Sequence, residues 1–238
     1  MKTYRAFAWI LPLGSAVWLS ACGGEQAPPQ CVVGRGDHAV RYTLKTGTGT
    51  CAQKKAEIIG AQAFRVPGSG IPPTVSLKPA PLAALEGRDP ANSVLASGDF
   101  TTEYPEENTC VVRQLSEARQ VFQPDNATTV DLSYRFSNLR IQAQAAIPGT
   151  QWVADLSYSE GDCMATYEAV GVFPAIKCER QVQDPAFPND PTKKVTVRDP
   201  NVCKQPRAGL SLDPAYAIVC EETTNLCVLD GLPPARVP

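Results

Sequence analysis

Sulfur is the most reactive element in this chain. Nine cysteines stand among 238 residues, against one histidine and two methionines. A single histidine excludes a multi-histidine metal site, and no Cys-x-x-Cys occurs, so zinc-ribbon and thioredoxin-like centres lack their residues. His38 is the sole imidazole that could act as a base. Its neighbour Asp37 falls on the opposite side of an extended strand, so a Ser–His–Asp relay is not expected. A surface position at the start of a strand is expected for His38 instead. Gly34-x-Gly36-x-x-Ala39 follows Val32-Val33 and has the looser dinucleotide fingerprint, but the residues after it alternate as a strand where a helix is required. Phosphate-loop and hydrolase-elbow motifs do not occur. Scattered carboxylates leave an acid pair in a cleft as the one route to hydrolysis. Asp184, Asn189 and Asp190 share a proline-rich loop without ordered EF-hand spacing and read as solvated. Trp152, Tyr158 and Tyr167 could line a sugar-binding face, although aromatics on adjacent strands more often form core.

The first cysteine has a setting of its own. Residues 1–21 begin with a basic segment (Lys2, Arg5), and Ala6 to Leu19 then carry no charge. That stretch is shorter than the ~20 residues of a membrane span, and Pro12 and Gly14 interrupt it. Small residues, Ser20 and Ala21, close it, as the cleavage region of a signal peptide requires. Leu19-Ser20-Ala21-Cys22 resembles the lipobox of bacterial lipoproteins. The resemblance implies cleavage before Cys22, a diacylglycerol on its sulfur and an acyl chain on its new amino group. The thiolate is the strong nucleophile available there. Two or three acyl chains anchor stably where one does not. Residues 22–30 then read as anchor and tether, with Gly23 and Gly24 free and Pro28 and Pro29 extended. In enterobacterial lipoproteins, an Asp after the lipidated cysteine retains the protein in the inner membrane. Gly23 stands in its place, which implies delivery to the outer membrane.

The remaining eight cysteines are Cys31, Cys51, Cys110, Cys163, Cys178, Cys203, Cys220 and Cys227. An even number in an exported chain reads as four disulfides. Cys220 and Cys227 flank a turn at Thr223-Thr224-Asn225 and form the first expected pair; Cys31 and Cys51, around one strand and its return, form the second.

With 43% apolar residues the chain should fold, and period-two alternation dominates it. Val40, Tyr42 and Leu44 alternate with polar residues. Val130, Leu132, Tyr134 and Phe136 precede Ser137-Asn138, and Leu139, Ile141, Ala143 and Ala145 follow, so a two-residue turn would pair apolar with apolar across a hairpin. Gln151 to Tyr158 and Cys163 to Val172 flank a turn at Glu160-Gly161-Asp162, and Ala217 to Glu221 pairs with Leu226 to Leu229. Pro81 to Gly87 and Arg113 to Phe122 have weak helical spacing, and proline clusters at 67–90 and 184–214 mark long loops. The expected fold is mainly β: one β-rich, sandwich- or barrel-like domain over 31–238, with disulfide-pinned loops and few short helices.

The segments RYTLKTGTGTC, LSYSEGDCMATYEAVGVFPAIKC and AIVCEETTNLCVLDG resemble myxobacterial outer-membrane lipoproteins of the Mlp type. That resemblance implies an outer-membrane lipoprotein and carries over no catalytic or binding residue. The formal net charge of −2 supplies no basic field for nucleic acid. The expectation is a lipid-anchored structural or interaction module of the envelope, without catalysis or cofactor. Its partners would be the membrane, through the Cys22 lipid, and another envelope protein. The alternative is an envelope hydrolase or glycan-binding protein with carboxylates or aromatics in a cleft.

Overall fold

The computed structural model describes residues 30–66, 70–124, 128–144, 148–204 and 212–235. Nine antiparallel strands form the main sheet: β1 (Gly36–Gly47), β2 (Ala56–Phe64), β3 (Thr74–Pro79), β4 (Ala96–Asp99), β5 (Thr109–Gln114), β6 (Ala118–Phe122), β7 (Val130–Gln142), β8 (Gln151–Glu160) and β9 (Cys163–Val172). Their order is β4-β3-β2-β1-β9-β8-β7-β5, with β6 also on β7. The two edges curl towards each other, so the sheet is a nearly closed barrel. Ser116 N donates to Ser97 O at 2.7 Å, and Thr101 N donates to Val111 O at 2.8 Å. Only a glycine allows the approach of β4: a Cβ on Gly98 would stand 2.5 Å from Gln114 O.

The alternating pattern explains the inside. Val40, Ile59, Leu77, Val112, Tyr134 and Leu156 are among the buried residues that fill the barrel. The β8–β9 hairpin turns at Gly161 (φ 57), as its sequence indicates.

The expected hairpin over 130–145 is instead one long strand. Phe136 pairs with Leu156 on β8, and Leu139 pairs with Val112 on β5. The apolar phase slips by one residue between Phe136 and Leu139, and a bulge accounts for that slip as well as a turn does. Asn138 supplies it at φ 51, donating its side-chain amide to Asp155 Oδ2 at 2.8 Å. Leu132, Tyr134, Phe136 and Ile141 are still all buried. The expected helix over 113–122 is also strand. Leu115 and Ala118 are buried at helix-like spacing because the chain breaks between β5 and β6, both of which run along β7. A short helix α1 (Ala80–Ala83) does form, buries Leu82, and gives way to turns before Gly87. The proline-rich stretches are not continuous loops, since β3 and α1 lie in the first.

After β9 the chain wraps the outside of the barrel. Two ribbons, β10 (Glu179–Gln183) with β11 (Lys194–Arg198) and β12 (Ile218–Cys220) with β13 (Cys227–Leu229), belong to this layer. Its residues Ile176, Val202, Leu226 and Val228 pack in one cluster with Ala39, Val153, Val170 and Val172, which makes a second core. That is why β9 is buried on both faces at its end.

All eight cysteines are bridged, but not in the expected pairs. Cys31 joins Cys110 and Cys51 joins Cys163; Cys178 joins Cys220 and Cys203 joins Cys227. Cys31 and Cys51 lie before and after β1, whose twelve residues set them at opposite ends of the barrel. Cys220 and Cys227 are register partners in the hairpin, as the turn requires. Their sulfurs instead tie the hairpin to outside segments, closing loops of 42 and 24 residues that remove more unfolded-state entropy than a short turn would.

Candidate functional site

A polar cluster of charged and phenolic side chains lies inside the barrel. Tyr42 on β1, Glu57 on β2, Tyr134 on β7 and Tyr158 on β8 all point inwards at the end where β1 turns into β2. Lys54 enters among them from the connection. Its ammonium donates to Glu57 Oε2 at 2.8 Å and to Tyr134 Oη at 2.9 Å. It lies 4.4 Å from the ring centroid of Tyr158 and 5.0 Å from that of Tyr134. Tyr42 Oη donates to Glu57 Oε1 and Tyr134 Oη to Glu57 Oε2. Burial, and then the Glu57 carboxylate, push the phenols of Tyr42 and Tyr134 up, so both stay protonated donors. This is a filled cation cage. It fixes the barrel mouth beside the Cys51–Cys163 bridge, where Lys54 N also donates to Tyr167 Oη at 3.2 Å. The local spacing Lys54-x-x-Glu57 is visible in the sequence; the tyrosines come from distant strands and carry no local signal.

His38 is not at the surface, as expected, but fully buried. Its ring sits between Phe173, at 5.2 Å, and Trp152, at 6.2 Å between centroids. Nδ1–H donates to Gly36 O at 3.2 Å. Desolvation lowers its pKa to about 4, so it is neutral. Its surroundings hold it as core rather than present it to a substrate. Trp152, Tyr158 and Tyr167 are buried in the barrel, which removes them from any sugar-binding face. Asp190 accepts from Thr192 N at 3.0 Å and Asp184 accepts from Ala186 N at 2.8 Å, as turn-forming side chains do. The Sγ atoms of Cys178, Cys203 and Cys227 lie within 4.8 Å of one another because two disulfides meet there.

On the outside, an open cleft of about 340 Å³ lies across the ends of β1, β2 and β3. Phe64 and Leu95 supply apolar wall, Gln62 and Ser76 polar groups, and Arg35 and Lys78 positive charge. Lys78 is paired with exposed Glu86 at 2.7 Å. Phe64 also lines a second hollow with Val66, Ile71 and Pro72. The sequence holds no signal for this cleft, since three strands must meet before it exists. Cys22 lies outside the described residues. Among those residues, no helix is long and apolar enough to cross a membrane.

Fold and site together define a disulfide-stapled antiparallel β-barrel with an occupied interior and an open cleft on its outer wall. Residues 36–174 match the MlpA family model, and the chain belongs to that family, as the resemblance in its sequence implied. The match runs from the first residue of β1 to just past β9, so it coincides with the barrel. A protein of Myxococcus xanthus described as "Putative lipoprotein MlpA" is 26% identical over 242 aligned residues, covering 93% of this chain and 94% of the relative. No solved structure matches the chain.

Proposed function

We propose that the protein is an outer-membrane lipoprotein, anchored through Cys22, whose barrel binds another envelope protein and carries out no catalysis. The observation that carries the anchor is Leu19-Ser20-Ala21-Cys22 directly after an uncharged stretch with a basic start. The relation to a protein described as a lipoprotein supports it, and Gly23 in place of Asp supports outer-membrane delivery. A binding role fits a barrel whose one imidazole is locked in the core and whose internal cation is already held by Glu57.

The test compares wild type with Cys22→Ala in a bacterial host that acylates lipoproteins. Wild type should take up labelled palmitate and fractionate with the outer membrane. The variant should lose the label and either leave the membranes or keep its leader, with its four bridges intact. Equal labelling of both proteins would remove Cys22 as the anchor.

A further inference from the structure

We propose that the end of the barrel where the chain enters is a membrane-contacting face, with Phe64, Val66, Ile71 and Tyr104 lying in the headgroup region of a bilayer. The inference rests on the Cys22 anchor proposed above and adds the direction in which the barrel stands.

The entry point is fixed. Cys31 N donates to Glu103 O at 3.0 Å, and the Cys31–Cys110 bridge ties the same residue to the start of β5. Arg65 holds both sides of it, pairing with Glu103 Oε1 at 2.5 Å and donating to Gln30 Oε1. The eight residues from Gly23 to Gln30 span at most about 30 Å, whatever path they take. A lipid on Cys22 therefore keeps this end of the barrel within that distance of the bilayer.

The residues around that point are unusual for a water-facing surface. Phe64 (49% exposed) ends β2, Val66 (67%) and Ile71 (65%) lie in the β2–β3 connection, and Tyr104 (42%) follows Glu103. All belong to the end that also carries the start of β1 and the finish of β2 and β4. Arg65 stands among them and Lys78 lines the adjoining cleft. Aliphatic residues with a tyrosine and long cations form the composition that settles at a membrane interface. The occupant is a lipid surface rather than a second protein because a lipid on Cys22 keeps this end within about 30 Å of one. Glu106 and Glu107 share the loop with Tyr104, so apolar insertion and not attraction to anionic lipid is the driving force.

The mature acylated protein would be reconstituted in phosphatidylcholine vesicles containing lipid with brominated acyl chains. Val66→Trp reports on the proposed face. Met164→Trp, at an exposed position beside the β8–β9 turn, reports on the opposite end. Buried Trp152 provides a constant background. Fluorescence of the Val66→Trp variant should be quenched at least threefold more than that of Met164→Trp, with little change on raising salt. Equal quenching at the two positions, or none at position 66, in protein that carries its acyl label would overturn the face while leaving the anchor standing. If Cys22 carries no lipid, the anchor fails by itself, and the unacylated mature chain tests the face by co-sedimentation with the same vesicles. Val66→Asp with Ile71→Asp should then weaken binding about tenfold, and unchanged binding would overturn the proposal.

Discussion

Gly98 on β4 lies so close to Gln114 on β5 that a Cβ would stand 2.5 Å from the Gln114 carbonyl oxygen and 2.9 Å from Val112 Cγ1. These two residues mark the seam at which the sheet closes. Gly98→Ala must push the edges apart, at a cost of about 1–3 kcal/mol. Gly60→Ala is the control, since a Cβ there meets nothing nearer than 3.7 Å. It should be neutral or slightly stabilising. Urea melts that ranked the two substitutions the other way would mean that the edges do not meet.

Lys54 and Glu57 should be strongly coupled. Both are largely buried, with side-chain exposures of 16% and 10%. Lys54→Met leaves the carboxylate without its ammonium and should cost on the order of 3 kcal/mol. Adding Glu57→Gln should recover much of that loss. A double-mutant cycle with no coupling would show that the cage does not hold the barrel mouth.

His38 makes stability depend on pH. Its folded pKa is about 4, below the ordinary imidazole value of 6.5, so the unfolded chain binds the proton more tightly. The neutral ring costs nothing above about pH 6.5. As pH falls from there towards 4 the folded state loses on the order of 3 kcal/mol relative to the unfolded one, and further acid adds no more from this group. His38→Gln should flatten the stability curve in that window. Melts at pH 7.5 and 4.5 that differed equally for both proteins would place His38 in contact with water.

Phe136 and Arg135 test the register around the bulge. Phe136 is fully buried, and Arg135 is an exposed partner of Glu117. Phe136→Ala should cost about 3–5 kcal/mol, and Arg135→Ala ~0.5 kcal/mol. The opposite order in denaturant melts would shift the strand by one residue.

The Cys51–Cys163 bridge closes 112 residues. Replacing both cysteines by Ala should lower stability by roughly 2–5 kcal/mol. The expected readout is a fall in urea midpoint, and an unchanged midpoint would show that the Lys54 cage alone is enough to fix that end.

Strands bounded by clear turns were legible in the sequence, because period-two alternation and Gly161 leave little else for 151–172 to do. The slip between Phe136 and Leu139 was not resolved, since a turn and a bulge produce the same apolar pattern. Only the strands on either side of β7 decide between them. Leu115 and Ala118 imitate a helix for a similar reason: an interrupted strand spaces its buried residues by three. His38 was misplaced because Trp152 and Phe173, which cover it, arrive from β8 and the segment just past β9, far from it in sequence. The cysteine count was legible, and its pairing was not. Spacing measures distance along the chain, whereas bridging follows which barrel end each sulfur reaches.

Each disulfide stays within one of the two cores. Cys31–Cys110 and Cys51–Cys163 lie in the barrel, while Cys178–Cys220 and Cys203–Cys227 belong to the outer layer and its cluster. Among the described residues, no disulfide therefore sews the wrap to the wall beneath it. The wrap is seated on Ala39, Val153, Val170 and Val172 by apolar packing, and Gln151 Oε1 accepts from Ala235 N at 2.9 Å across the same boundary. The molecule is therefore riveted as two separate shells, each stapled to itself and seated on the other by packing.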